Sequence, residues 1–214
     1  MSVAALVALL LLAYLVGSIP FGLLVGRVWR RVDVRQFGSG RTGMTNVLRT
    51  LGWKAAVAVF VLDAAKGAVA VLLARALVGT PLGDSLAILA AVVGHVWPLL
   101  ARFRGGRGVA TAEGGLLVMA WPVALAAWLV FLPVLFFTRY VSLSSISSVS
   151  FAAVLLAALA LLGYYPLPYL VFVAGGAFLL IWGHRDNIRR LLRGRELRLG
   201  QAAPPVSQVQ GGGR

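Results

Sequence analysis

Residues 38–46 read Gly-Ser-Gly-Arg-Thr-Gly-Met-Thr-Asn, three glycines among five polar side chains. Glycine permits positive φ and leaves backbone amides open. Successive open N–H groups at Gly38, Ser39 and Gly40 would form a nest for an anion. Ser39, Thr42, Thr45 and Asn46 add donors, and Arg49 follows with a fork suited to phosphate. A second stretch, 94–108, ends in Gly105, Gly106, Arg107 and Gly108 ahead of an apolar run. A glycine-rich basic turn opening a helix suits phosphate through free amides and the positive end of the helix dipole. The nucleotide-binding pattern G-x-x-x-x-G-K-[ST] is absent. His95 precedes this turn at the edge of an apolar run, where ionisable residues are functional candidates. In 138–147, Ser142 stands near Arg139, and in 183–196, His184 and Asn187 are three apart, on one helical face. Asp63 and Lys66 share that spacing and read as an ion pair that eases burial.

These segments punctuate a chain that is 60% hydrophobic and 12% charged over 214 residues, with mean hydropathy +0.92. A soluble domain carries about 25% charged residues, so an integral membrane protein is expected. The net charge of +14 sits mostly between apolar runs, which fits the positive-inside bias and not nucleic-acid binding. With no cysteine, disulfides and thiolate chemistry are excluded. No carboxylate cluster is present to hold a metal, so neither metal nor cofactor is expected.

Apolar runs lie near 3–26, 55–79, 85–101, 109–137, 146–163 and 167–183. No basic residue precedes Arg27, so 3–26 reads as a retained span and not a cleaved leader. The arginines of 27–54 and of 102–107 predict cytoplasmic loops, and 78–84 an outer one. If 109–137 crossed once, Arg139 and the arginine-rich tail would lie outside. A hairpin of two short helices turning near Trp121-Pro122 returns both to the cytoplasm. The expected fold is all-α: one domain over 1–200, seven transmembrane helices, N-terminus outside and C-terminus cytoplasmic. Residues 201–214 are expected to be disordered. All four polar segments then share the cytoplasmic face.

In order along the chain, GSIPFG (17–22), GSGRTGMTNVLRTLGWK (38–54), DAAKG (63–67), GHVWPLLARFRGGRGVAT (94–111), RYVSLSS (139–145) and HRDNIRRLLRGRE (184–196) resemble the motifs of the bacterial acyl-phosphate:glycerol-3-phosphate acyltransferases. Four positions depart from the family's usual pattern. Arg41 and Met44 stand where asparagine and alanine are common, and Arg104 and Arg107 where lysine is. The resemblance implies seven helices in the bacterial inner membrane. It also implies transfer of an acyl chain from acyl phosphate to the sn-1 hydroxyl of glycerol-3-phosphate. The products are lysophosphatidic acid and phosphate, at the first committed step of phospholipid synthesis, and the enzyme that makes acyl phosphate becomes a candidate partner.

Two anionic groups must then be held close together, and a mixed anhydride needs no covalent enzyme intermediate. Arg49, Arg107, Ser142, His184 and Asn187 are assigned to glycerol-3-phosphate. Ser39 and the amides of 38–40 and 105–108 are assigned to the acyl phosphate, with Thr45, Asn46 and His95 as further contacts. Neither histidine has an aspartate five residues on, so the proton acceptor is a substrate phosphate oxygen or His184. Two other readings compete: an organophosphate or anion transporter using Asp63 and Lys66, and a scaffold that binds acidic lipids.

Overall fold

Apolar runs become helices throughout the computed structural model, which describes residues 2–201. In chain order these are α1 (Val3–Gly17), α2 (Phe21–Arg30), α3 (Met44–Leu51), α4 (Trp53–Leu77), α5 (Pro81–Val96), α6 (Val109–Thr138), α7 (Val141–Leu161), α8 (Tyr169–Gly183) and α9 (Arg185–Leu192). The first apolar run breaks at Ser18–Pro20 into α1 and α2, where proline removes a backbone donor. Five segments are long and apolar enough to cross a membrane: Val3–Arg30, Trp53–Leu77, Pro81–Ala101, Val109–Thr138 and Val141–Leu161. The 15-residue α8 is apolar but shorter. Leu129, Phe136 and Val154 stand at 70–78% exposure, as side chains facing hydrocarbon do. Apart from Gln201, the tail expected to be disordered lies outside the described residues.

α6 does not run straight. Ala120 leaves helical geometry (φ −154°, ψ 69°), one residue before the predicted turn at Trp121-Pro122. Trp128 Nε1 donates to Glu113 Oε1 at 2.8 Å. Fifteen residues of straight helix would separate these positions by roughly 22 Å, beyond the reach of the two side chains. The arms of α6 therefore fold back on each other.

Small residues let the helices approach. A Cβ on Gly67 would strike the Thr111 carbonyl, one on Gly114 the Ala64 carbonyl, and one on Gly17 the Ala91 carbonyl. Such contacts drive helix association where lipid removes the hydrophobic force between spans. The main core joins α4–α8 through Val71, Ile88, Leu116, Val123, Leu156 and Leu180. Away from the polar loops, Asp84 accepts from Tyr169 Oη at 3.2 Å and pairs with Arg75 at 3.3 Å, tying α4, α5 and α8.

Candidate active site

The loop at 37–46 is shaped by its own hydrogen bonds. Gly38 and Gly40 take left-handed φ of 55° and 66°. The sequence predicts an open amide nest here, but the Ser39 N–H donates to Asn46 Oδ1 at 3.0 Å and the Gly40 N–H to Phe37 O at 3.0 Å. Asn46, expected as a substrate ligand, is buried, and its Nδ2 donates to Val34 O (2.7 Å) and Arg41 O (2.8 Å). Its amide ties the loop together. Side chains, and not the amides of Ser39 and Gly40, are what this loop offers an anion.

The glycines at 105 and 106 have a comparable reason. A Cβ on Gly105 would strike the His95 carbonyl, and one on Gly106 the His95 imidazole. The Gly106 N–H donates to His95 O at 3.1 Å. These glycines let the turn lie flat on His95, whereas the sequence predicts them as a phosphate cradle. Beneath, His95 Nδ1 is 3.5 Å from Asp63 Oδ1, and Lys66 Nζ is 2.8 Å from the same oxygen. The predicted Asp63–Lys66 pair is therefore present, extended by His95. Lys66 also donates to Ile19 O at 3.0 Å.

A cavity of about 290 Å³ opens above this floor. Ser39, Arg41, Thr45, His95, Arg107 and His184 line one end; Phe60, Trp128, Phe131, Leu132 and Leu135 line the other. Gly108, Val109 and Ala110, at the start of α6, also line the cavity. One end therefore suits an anion and the other a hydrocarbon chain.

Positive charge dominates the polar end. Arg107 has a buried Nε without a hydrogen-bond partner among the described residues. Burial, then Arg41 and Arg190, push its guanidinium down to about 10, still charged at neutral pH. Burial also lowers Arg41 and Arg49. His184 Nδ1 lies 2.7 Å from Leu180 O. A carbonyl only accepts, so Nδ1 carries the proton and Nε2 keeps its lone pair. Burial, then Arg107, push His184 down to about 4, so it is neutral at pH 7.

Glu196, which the sequence does not single out, organises the rest. It is buried, and its Oε1 accepts from Ser142 Oγ (3.1 Å) and Asn187 Nδ2 (2.7 Å). Its Oε2 accepts from Arg190 Nε at 2.7 Å. Ser142 and Asn187 thus turn to Glu196, and neither lines the cavity. Arg49 lies behind it too, donating to Leu197 O at 2.9 Å. One donation leaves further donors on its fork. The signal for Glu196 was an acid following five arginines between Arg185 and Arg195. Arg41, also missed as a ligand, lines the cavity and lies 3.9 Å from Asp186.

The four segments predicted to converge do so. The 38–46 loop meets α9 through Arg41 and Asp186, Arg49 reaches residue 197, and Ser142 reaches Glu196. Among the described residues no group of three or more His, Asp or Glu is arranged to hold a metal ion.

Known proteins resemble this chain in sequence and in fold. A sequence profile described as glycerol-3-phosphate acyltransferase matches residues 7–194. A protein of Synechococcus sp. (strain JA-3-3Ab) named glycerol-3-phosphate acyltransferase is 51% identical over 188 residues, 88% of this chain and 90% of its own. Glycerol-3-phosphate acyltransferase 3 of Dehalococcoides mccartyi (strain CBDB1) is 42% identical over 95% of this chain and all of its own. The crystal structure of PlsY (YgiH), an integral membrane glycerol 3-phosphate acyltransferase, in its glycerol 3-phosphate form superposes with a TM-score of 0.83. It shares 40% identity and covers 96% of this chain and 98% of its own. Its lysophosphatidic acid form gives 0.82. With the profile spanning most of its length and relatives near half identical, this chain belongs to the glycerol-3-phosphate acyltransferase family of integral membrane proteins.

Proposed function

We propose that the protein transfers an acyl chain from acyl phosphate to the sn-1 hydroxyl of glycerol-3-phosphate, on the cytoplasmic face of a bacterial inner membrane. The observation that carries this reading is the two-ended cavity: arginines and hydroxyls at one end, aromatic and leucine side chains at the other. A donor with a phosphate head and a hydrocarbon tail fits both ends at once. The folded-back α6 supports a reading of seven crossings, and the placing of the N-terminus outside and the C-terminus inside rests on the distribution of arginines.

In this reaction the glycerol hydroxyl oxygen attacks the acyl carbonyl carbon. The new C–O ester bond forms, the C–O bond to the phosphate breaks, and phosphate leaves with the electron pair. Arg107 and Arg41 neutralise the phosphoryl groups, and Ser39 Oγ and Thr45 donate to them. Arg49 serves glycerol-3-phosphate, with Ser142 and Asn187 held beside it by Glu196. The gain is proximity and charge stabilisation in a site shielded from water.

The hydroxyl proton goes to a phosphoryl oxygen. An efficient acceptor has a pKa near the working pH. His184, held at about 4, is mismatched, whereas a phosphate monoester has its second ionisation near about 6. The His184 Nε2 lone pair instead accepts from the non-reacting sn-2 hydroxyl and so aims the glycerol backbone.

The test is purified protein in proteoliposomes with palmitoyl phosphate and labelled glycerol-3-phosphate. Labelled lysophosphatidic acid is the expected product, with palmitoyl-CoA inert. Turnover with acyl-CoA and none with acyl phosphate would overturn the donor assignment. Uptake of label without product would point to the transporter reading.

A further inference from the structure

A second, inner cavity adjoins the first. It measures about 50 Å³ and is lined by Ala112, Leu116, Ala152, Leu156, Phe172 and Gly176. The two share Val109, Glu113, Ala127 and Ser148 as a common wall. Glu113 is the one charged residue type on α6, in a helix otherwise made of apolar and small residues. The only hydrogen bond to its carboxyl among the described residues comes from Trp128 Nε1 at 2.8 Å. Trp128 is itself wedged edge-on between Phe60 (5.8 Å) and Phe131 (5.2 Å). An acidic side chain here is costly, and the mechanism above does not use it.

We infer that Glu113, tethered to Trp128 across the α6 fold, is a specificity-determining partition that closes the inner cavity to the acyl chain and limits the chain length accepted. The inference rests on the acyl-donor reading above. A hydrocarbon tail lying along Trp128, Phe131 and Leu135 meets the Glu113 carboxyl at the mouth of the inner cavity. To pass, it must part Glu113 from Trp128 and leave both polar groups unpartnered against methylenes, an arrangement disfavoured in an apolar site. The tail is therefore kept in the outer wing, between the arms of α6. Without the carboxyl the cavities merge, and the end of a longer chain gains apolar surroundings at Leu116, Leu156 and Phe172.

The test compares kcat/KM for stearoyl phosphate with that for myristoyl phosphate in wild type, Glu113→Ala and Glu113→Gln. Each methylene that gains burial is worth about fourfold (~0.8 kcal/mol). Two gained methylenes raise the stearoyl-to-myristoyl ratio in Glu113→Ala by roughly tenfold or more. Glu113→Gln keeps an acceptor oxygen for Trp128 and holds the wild-type ratio. Adding Ala152→Leu to Glu113→Ala refills the inner cavity and brings the ratio back. If Glu113→Ala does not fold, Trp128→Phe, which removes the tethering donor, carries the same expected shift.

Thermal stabilisation by lysophosphatidic acids of 18 and 14 carbons provides a readout independent of the donor. If wild type does not turn over acyl phosphates but Glu113→Ala shifts stabilisation toward the longer lipid, the donor reading falls and the partition stands. A folded Glu113→Ala with wild-type chain preference in both readouts overturns the partition.

Discussion

Replacing Arg107 by methionine should lower activity and raise stability together. Methionine keeps most of the stem and removes a guanidinium whose Nε is buried without a partner among the described residues. The fall to about 10 from an ordinary guanidinium value corresponds to about 3 kcal/mol for holding that charge in the empty site. Relaxation and water access reduce this; taking about half, and 2–4 °C per kcal/mol for a chain of this size, melting should rise by roughly 3–6 °C. A charge-assisted contact to phosphate contributes about 1.5–3 kcal/mol. The same variant should therefore lose roughly tenfold to a hundredfold in kcat/KM with palmitoyl phosphate and glycerol-3-phosphate. Arg107→Lys should retain part of the activity as a point charge without the fork. Arg193→Ala, on an exposed residue, should stay near wild type in both measurements. Steady-state kinetics in detergent beside thermal unfolding decide the matter. A less stable but fully active Arg107→Met would refute the reasoning, as would equal losses in the Arg107 and Arg193 variants, since bulk charge would then suffice.

Glu196→Ala should unfold roughly 6–12 °C below wild type: stranding the Ser142 and Asn187 donors costs about 3 kcal/mol in total, and half-exposed Arg190 adds little. An unchanged melting temperature would show that the carboxylate does not hold this end together. His184 sets a pH dependence: unfolded it binds a proton below about pH 6.5, folded only below about 4. Its contribution is therefore complete above pH 6.5 and lost as pH falls toward 4, about 3 kcal/mol in all. Melting curves from pH 4 to 8 should show this slope in wild type and a flatter one in His184→Gln. The chain has no cysteine, so a Gly212→Cys variant reports topology directly. It should resist an impermeant thiol reagent on intact cells, and labelling from outside would reverse the orientation argument. Activity should survive EDTA; a loss restored by magnesium would contradict a metal-free site.

Hydropathy and charge are local properties of the chain, and what depends on them was legible in the sequence. The helical, membrane-embedded class followed from the apolar runs. The reversal in α6 followed from the arginines at 139 and beyond, and it occurs at Ala120, beside the predicted Trp121-Pro122. The convergence of the 38–46, 105–108, 139–145 and 184–196 segments followed from their shared face. Hydrogen-bond commitments are not local. Ser39 and Gly40 amides look free until Asn46 and Phe37 are seen to take them. Gly105 and Gly106 look like a cradle until His95 is found beneath them. Glu196 reads as one acid in a basic stretch until α7 and α9 bring Ser142, Asn187 and Arg190 around it. Glu113 and Trp128 meet only because α6 folds back. Each of these depends on which atoms come within about 3 Å, a distance that helix packing decides and residue type does not.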